Sequence, residues 1–329
     1  MRTMFQSAPR VILSLWLWLI PYPAKAFAET LRVAVISNSA NNWPLFVAED
    51  KGFFRDAGVQ VELMVTGDSA KQLEGLARGD YEITHQAADQ FVRAIEGGKD
   101  FVIFMTISRP IFDFIVKPEI RTFNDLRGKT IALDRLTTGY WLLFRKVLAE
   151  NGLKATDYHL QPDSGGPENR LRAVQEGRAQ ATYLNPPQST EAISKGLKRL
   201  TGLADHFPNF PGSSGGARRI WAKQHEETLV AYLRAYIRAV SWLSDPTNHG
   251  EAIAIFRKRV DLSPEALADT YETFVRVGMV PAAEINRDGM QLVLELMADD
   301  GLLSPPLPSM EKYANPEYQQ KALGSLKGP

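Results

Sequence analysis

The chain has 329 residues, 44% of them hydrophobic and 23% charged, the composition of a folded globular protein. Its 38 basic and 38 acidic side chains balance, which leaves no overall field for holding nucleic acid or an anionic membrane. It has no cysteine, which excludes disulfides, thiolate nucleophiles, Fe–S clusters and cysteine-based zinc sites.

Residues 1–28 read as a removable export signal. Met1 to Arg10 carries two arginines and no acid, and residues 11–20 are apolar except for Ser14. Pro21 and Pro23 then break any helix, and Ala26-Phe27-Ala28 supplies a small-x-small cleavage pattern before Glu29. The charge-free stretch 11–24 falls short of the roughly 20 apolar residues a spanning helix needs. Arg2, Arg10 and Lys25 would leave with the signal and no acid would, so the expected mature chain carries a net charge of −3. It is expected in a bacterial periplasm.

The rest alternates β-rich runs with helical patterns, the signature of βαβ units and a mostly parallel sheet with helices on both faces. Strands are predicted at 31–36, 59–65, 81–84 and 101–107, with intervening helices carrying Phe46, Leu76 and Phe91. The pattern restarts with strands at 129–134, 157–161 and 181–184, and with a helix whose face is Tyr140, Leu143, Phe144, Val147 and Leu148. The two runs superimpose at a constant offset of 98. Val33 falls on Ile131, Phe46 on Phe144, Leu76 on Val174, Gly79 on Gly177 and Thr84 on Thr182. Two lobes of like topology are therefore expected. From Glu226 onward the chain reads as helical, with amphipathic segments at 226–243, 249–260, 264–277 and 288–299. The polar tail beyond Tyr313 reads as frayed.

Enzyme motifs fail on inspection. LRGKT at 126–130 lacks the upstream glycine and following helix of a phosphate loop, and HEETL at 225–229 has Leu229 where a second metal ligand would be. His85, His159, His206, His225 and His249 show no metal-ligand spacing, so neither metal nor cofactor is expected. Polar loops instead mark the points where strands hand over to helices, the edge at which open α/β sheets bind ligands. These loops nominate Ser39, Asn42, Trp43, Ser69 and His85 in the first run, and Thr137, Thr138, Tyr140, Tyr183 and Asn185 in the second. Ser164-Gly165-Gly166 is a further such loop. Arg109, at the end of the strand 101–107, is nominated as a clamp for an oxyanion. The aromatic residues call for an apolar body behind that head group.

AEDKGFFRDAGVQVELM at 48–64 resembles the opening motif of nitrate/sulfonate/taurine-type ABC-transporter substrate-binding proteins, a group that includes thiamine-pyrimidine-synthase-like proteins. LEGLARGDYEIT (73–84), FNDLRGKTIAL (123–133) and AVQEGRAQATYLNPPQ (173–188) are similar to three further segments of that family, in the same order. Tyr81-Glu82 and Ala179-Gln180 stand where the family commonly has an aspartate. The resemblance implies a two-lobed periplasmic binding protein of the type II-like α/β class, with a ligand cleft between lobes. Lobe I would be 29–113 and 216–329 and lobe II 114–215, with crossings near 112–117 and 217–221. It further implies a monomer that binds a small organic anion, a sulfonate or carboxylate, and delivers it to an inner-membrane ABC permease with its cytoplasmic ATPase. A neutral pyrimidine precursor is the alternative ligand. A pyrimidine-synthase enzyme is the less favoured alternative, because those enzymes carry a cysteine-rich iron motif. Delivery to a membrane sensor is a third use of the same binder.

Overall fold

The computed structural model describes residues 29–163 and 166–326. The expected export signal, and Ser164 and Gly165 of one rim loop, lie outside the described residues.

Two five-stranded sheets organise the chain. The first runs in the order β2 (Val59–Val65), β1 (Glu29–Val35), β3 (Ile83–Gln86), β10 (Ser213–Arg218), β4 (Phe101–Ser108). The second runs β7 (His159–Pro162), β6 (Thr130–Leu133), β8 (Ala181–Leu184), β5 (Asp113–Val116), β9 (Lys198–Gly202). In each sheet one strand, β10 or β5, is antiparallel to its neighbours, and it is the strand that arrives from the other sheet. The first sheet carries α1 (Trp43–Asp50), α2 (Phe53–Asp56), α3 (Ser69–Arg78) and α4 (Ala88–Glu96). The second carries α5 (Gly139–Glu150), α6 (Pro167–Gln175), α7 (Gln188–Ser194) and α8 (Leu203–His206). The chain ends in α9 (Arg219–Gln224), α10 (Glu226–Ser244), α11 (His249–Arg257), α12 (Pro264–Tyr271), α13 (Arg287–Asp299) and α14 (Glu317–Leu326).

The offset of 98 extends to strand register. Val33 pairs Ile83 and Ala34 pairs Thr84; 98 residues on, Ile131 pairs Ala181 and Ala132 pairs Thr182. After α3 and α6 the chain turns through Gly79 (φ 85°) and Gly177 (φ 81°), a left-handed conformation that glycine adopts without a Cβ penalty. The departures from aspartate fit the same frame. Glu82 accepts from the Arg32 amide at 2.8 Å, and Gln180 accepts from the Thr130 amide at 3.0 Å. Both substitutes keep an acceptor for the same backbone donor. On the outer strand the offset slips by one: Val33 pairs Leu63, while Ile131 pairs Leu160.

Three expectations change. The return crossing, expected near 217–221, comes between Gly202 and Ser213, because β10 lies wholly in the first sheet. Its sequence, SSGGAR, has no apolar alternation. A Cβ on Gly215 would stand 2.5 Å from Met105 Cε, and one on Gly216 2.3 Å from Phe91 Cζ, so neighbouring side chains fill the space that its own would take. The segment 264–277 is not one α-helix, since α12 gives way to a π-helix, Glu272–Gly278. The tail beyond Tyr313 is docked rather than frayed: Tyr318 and Ala322, one turn apart on α14, are buried among side chains of the α10 core.

That core joins α1, α10 and α11 to the first sheet. A second apolar cluster spans both lobes, with Phe91 of α4, Leu294 of α13, and Trp141 and Phe144 of α5. The lobes are thus held together by apolar packing, and the opposing polar loops are left to form a cleft.

Candidate functional site

A cavity of ≈ 350 Å³ lies where the carboxyl ends of the two sets of strands face each other. Of the residues nominated from sequence, Ser39, Asn42, Ser69 and His85 line its first wall, and Thr138, Tyr140, Tyr183 and Asn185 its second. His85 and Tyr183 stand at the same place in β3 and β8, 98 residues apart.

The first wall is set from beneath. Asn42 Nδ2 donates to Ser37 O at 2.9 Å, so its Oδ1 is the acceptor turned to His85 Nδ1, also at 2.9 Å. His85 then carries its proton on Nδ1, and Nε2 accepts from the Tyr232 hydroxyl at 3.0 Å. Burial pushes the His85 imidazole down to about 3, so it is neutral at physiological pH. Next to it, Gln86 Nε2 donates to Gln72 Oε1 and Ser69 Oγ, while its Oε1 accepts from the Ala87 amide. Asp68 caps α3 by accepting from the Lys71 amide at 2.8 Å, and that bond holds its carboxyl below the usual range.

The second wall is built on Asp134. Its Oδ1 accepts from the Tyr183 hydroxyl, from Thr138 Oγ1 at 3.0 Å and from the Arg135 amide at 2.7 Å. Burial raises the Tyr183 and Tyr140 phenols, so both stay protonated. Tyr140 donates to Gly212 O at 2.5 Å, and its ring lies 4.1 Å from that of Phe112, which supplies an aromatic flank.

Three nominated residues lie elsewhere. Trp43 is fully buried, stacked 4.1 Å from Phe256, with Nε1 donating to Ala252 O. The residues of α1 from Trp43 to Ala48 are all buried, so the start of this helix faces the core instead of the cleft. Arg109 lies on the crossing between the sheets; its Nη1 donates to Val277 O at 3.0 Å and its amide to Gly278 O at 2.7 Å. It fastens the end of the π-helix and does not reach the cavity. Thr137 is exposed, outside the cavity lining.

Two cations do line the cavity, Arg135, which is exposed, and the buried Arg170 on the first turns of α6. Arg170 is 5% exposed. Its Cζ sits 5.2 Å above the Tyr183 ring, Nη2 reaches Tyr183 O at 3.5 Å, and Nε has no partner. Among the described residues no carboxylate pairs with it. An uncompensated buried charge costs several kcal/mol, so this guanidinium is a donor waiting for an acceptor. Asn41 Oδ1, on the opposite wall, is also buried without a partner. The offset could have found Arg170, since it maps Gln72, another buried polar side chain at the sheet edge, onto this position. No three His, Cys, Asp or Glu side chains group as metal ligands among the described residues.

This arrangement, two α/β sheets of one topology enclosing a polar cleft, is that of a two-lobed periplasmic binding protein. Residues 39–248 match the family described as NMT1/THI5 like, more than half of the chain, and the chain belongs to that family. It is 24% identical to YtlA of Bacillus subtilis (strain 168) over 307 residues, 89% of this chain and 90% of that one. Its fold is similar to that of the periplasmic nitrate-binding protein NrtA from Synechocystis PCC 6803, with a TM-score of 0.80 at 15% identity, covering 91% of this chain and 89% of that one. It is also similar to the periplasmic aliphatic sulphonate binding protein SsuA from Escherichia coli, with a TM-score of 0.73 at 19% identity, covering 90% and 99%.

Proposed function

We propose that this chain is the periplasmic solute-binding subunit of an ABC importer, and that it closes on a small organic anion whose oxyanion sits on Arg170. The observation that carries this reading is the buried guanidinium of Arg170, with no carboxylate beside it and Nε unpartnered, at an interlobe cavity. A sulfonate or carboxylate would replace the missing partner with charge-assisted hydrogen bonds. Phe112, Tyr140 and Tyr183 would flank its organic body, and ≈ 350 Å³ is far more room than a bare nitrate uses. The nitrate- and sulphonate-binding proteins of like fold support the same class. Its partners would be a membrane permease with its ATPase, and the protein would act as a monomer. A binder is preferred to an enzyme because the chain has no cysteine for an iron motif.

A neutral pyrimidine is the second reading. One observation favours it: Asp68, Asp89 and Asp134 line the same cavity as Arg135 and Arg170, so the pocket is not net positive. A thermal-shift screen of sulfonates, aromatic carboxylates and pyrimidines separates the two. A ligand at one hundred times its dissociation constant adds about 2.7 kcal/mol to the folded state. Stabilisation by anions that disappears in Arg170→Gln supports the first reading. Stabilisation by pyrimidines alone, retained in Arg170→Gln, replaces it with the second.

A further inference from the structure

Helix α5 starts without a side-chain cap of its own. Thr138, at its N-cap, turns its hydroxyl to Asp134 and Tyr183 instead of back to the helix. The missing acceptor comes from the other lobe. Asp89, on α4, accepts through Oδ2 from the Gly139 amide at 2.9 Å and from Gln90 Nε2 at 2.7 Å. The approach is close enough that a Cβ on Gly139 would stand 2.7 Å from Asp89 Cγ. Only glycine admits the carboxylate there.

Asp89 is 2% exposed, and burial raises its carboxyl against the pull of those two donors. Arg93, one turn along α4, is engaged with Asp300 at 2.6 Å. Its charge still favours the Asp89 carboxylate, and so do the Gln90 amide and the α5 N-terminus, where unpaired amides and the helix dipole favour an anion. Asp89 also lines the cavity. A residue that bridges both walls at the cleft can set how they meet.

We propose that Asp89 is an interlobe latch: from lobe I its carboxylate caps α5 of lobe II, drawing the two walls together and closing that helix start to a solute's oxyanion. An incoming anion is then directed to Arg170, a consequence that rests on the solute-binding reading; the latch itself does not.

The chain's lack of cysteine makes the test direct. Val65→Cys and Leu136→Cys place spin labels on exposed positions of the two lips, 55% and 51% accessible. Pulsed dipolar spectroscopy on the full chain, with no solute added, then reads the interlobe distance. The expected result is a short, narrow distribution in the otherwise unaltered protein, a several-fold larger open fraction in Asp89→Ala, and partial return to the short distance when formate is added to refill the vacated site. Asp89→Asn, which keeps shape and acceptor but not charge, should open less and serves if Asp89→Ala does not fold. Melting curves of each variant check the lobes themselves. An Asp89→Ala distribution superimposable on the unaltered protein overturns the proposal. Opening that formate leaves unchanged assigns the contact to packing and overturns it as well. Because no solute is present, neither outcome depends on the identity of the ligand.

Discussion

A positive charge buried without a counter-charge is a liability until something negative arrives. Arg170 is in that position, whereas Arg109 already spends its donors on Val277 O and Gly278 O. Arg170→Gln should cost the bound anion a charge-assisted hydrogen bond of about 1.5–3 kcal/mol, tenfold or more in affinity. Relief of the uncompensated charge should leave the empty protein as stable as before or more so. Arg109→Ala should keep affinity and lower the melting temperature; titration calorimetry beside melting curves reads both. His85 gives a pH signature. An unfolded histidine takes up its proton near pH 6.5, whereas the folded one resists until about 3. Its contribution is complete above the unfolded value and is lost as pH falls toward the folded one, by about 1.4 kcal/mol per pH unit. In urea unfolding from neutral pH to about pH 5, the stability advantage over His85→Gln should shrink at that rate. A constant advantage would mean that His85 is not held neutral. The polar rims were readable because Ser, Thr and Asn cluster where strands hand over to helices. Trp43 was misplaced and Arg170 missed for one reason: which face a first-turn residue presents is decided by what the rest of the fold packs against that helix.

At the scale of elements, the repeat shows which interactions a shared register enforces and which it leaves free. Thr84 and Thr182 occupy the same position opposite Ala34 and Ala132. Thr84 Oγ1 donates to Ala34 O at 3.1 Å, while Thr182 Oγ1 is buried without a partner. Thr84→Val should therefore cost about 1 kcal/mol, and Thr182→Val should be neutral or stabilising, because it removes only an unsatisfied hydroxyl. Equal losses in chemical denaturation would show that the two lobes bond this position alike. The parallel strands β1, β2, β4, β6 and β8 could be read because each is rich in apolar residues, whereas β3 (ITHQ) and β7 (HLQP) could be read only from their place in the βαβ alternation. The crossing strand β5 has little signal of its own, because DFIV is short and follows Pro110, and only the family resemblance pointed to a crossing near 112–117. The edge strand β9, KRLTG, and the return strand β10, SSGGAR, carry little apolar signal of their own. Their pairing is visible only when the partner strands are in place. Tail residues Tyr318 and Ala322 likewise acquire meaning only against α10.

For the whole molecule, the decisive region is the pair of crossings, where two backbones run side by side with almost no room between them. The Gly212 amide donates to Ser108 O at 2.8 Å, and Gly212 O receives the Tyr140 hydroxyl from the second wall of the cleft. A Cβ on Gly212 would come 2.6 Å from Arg109 O, a backbone atom that cannot swing aside as a side chain would. Gly212→Ala should thus push the crossings apart, loosen Tyr140, and disturb the second wall relative to the first. The expected outcome is a lower melting temperature together with weaker binding of whichever solute stabilises the unaltered protein. Gly250→Ala is the control: it sits in α11 with nothing within 4 Å of the added Cβ, and alanine in a helix is worth up to about 1 kcal/mol over glycine. That variant should melt at the same temperature or higher and bind unchanged. Small-angle scattering with saturating solute completes the comparison. The unaltered protein and Gly250→Ala should reach the same compact state, while Gly212→Ala remains more extended. If Gly212→Ala closes as fully as the control, the crossings tolerate separation and do not set the geometry of the cleft.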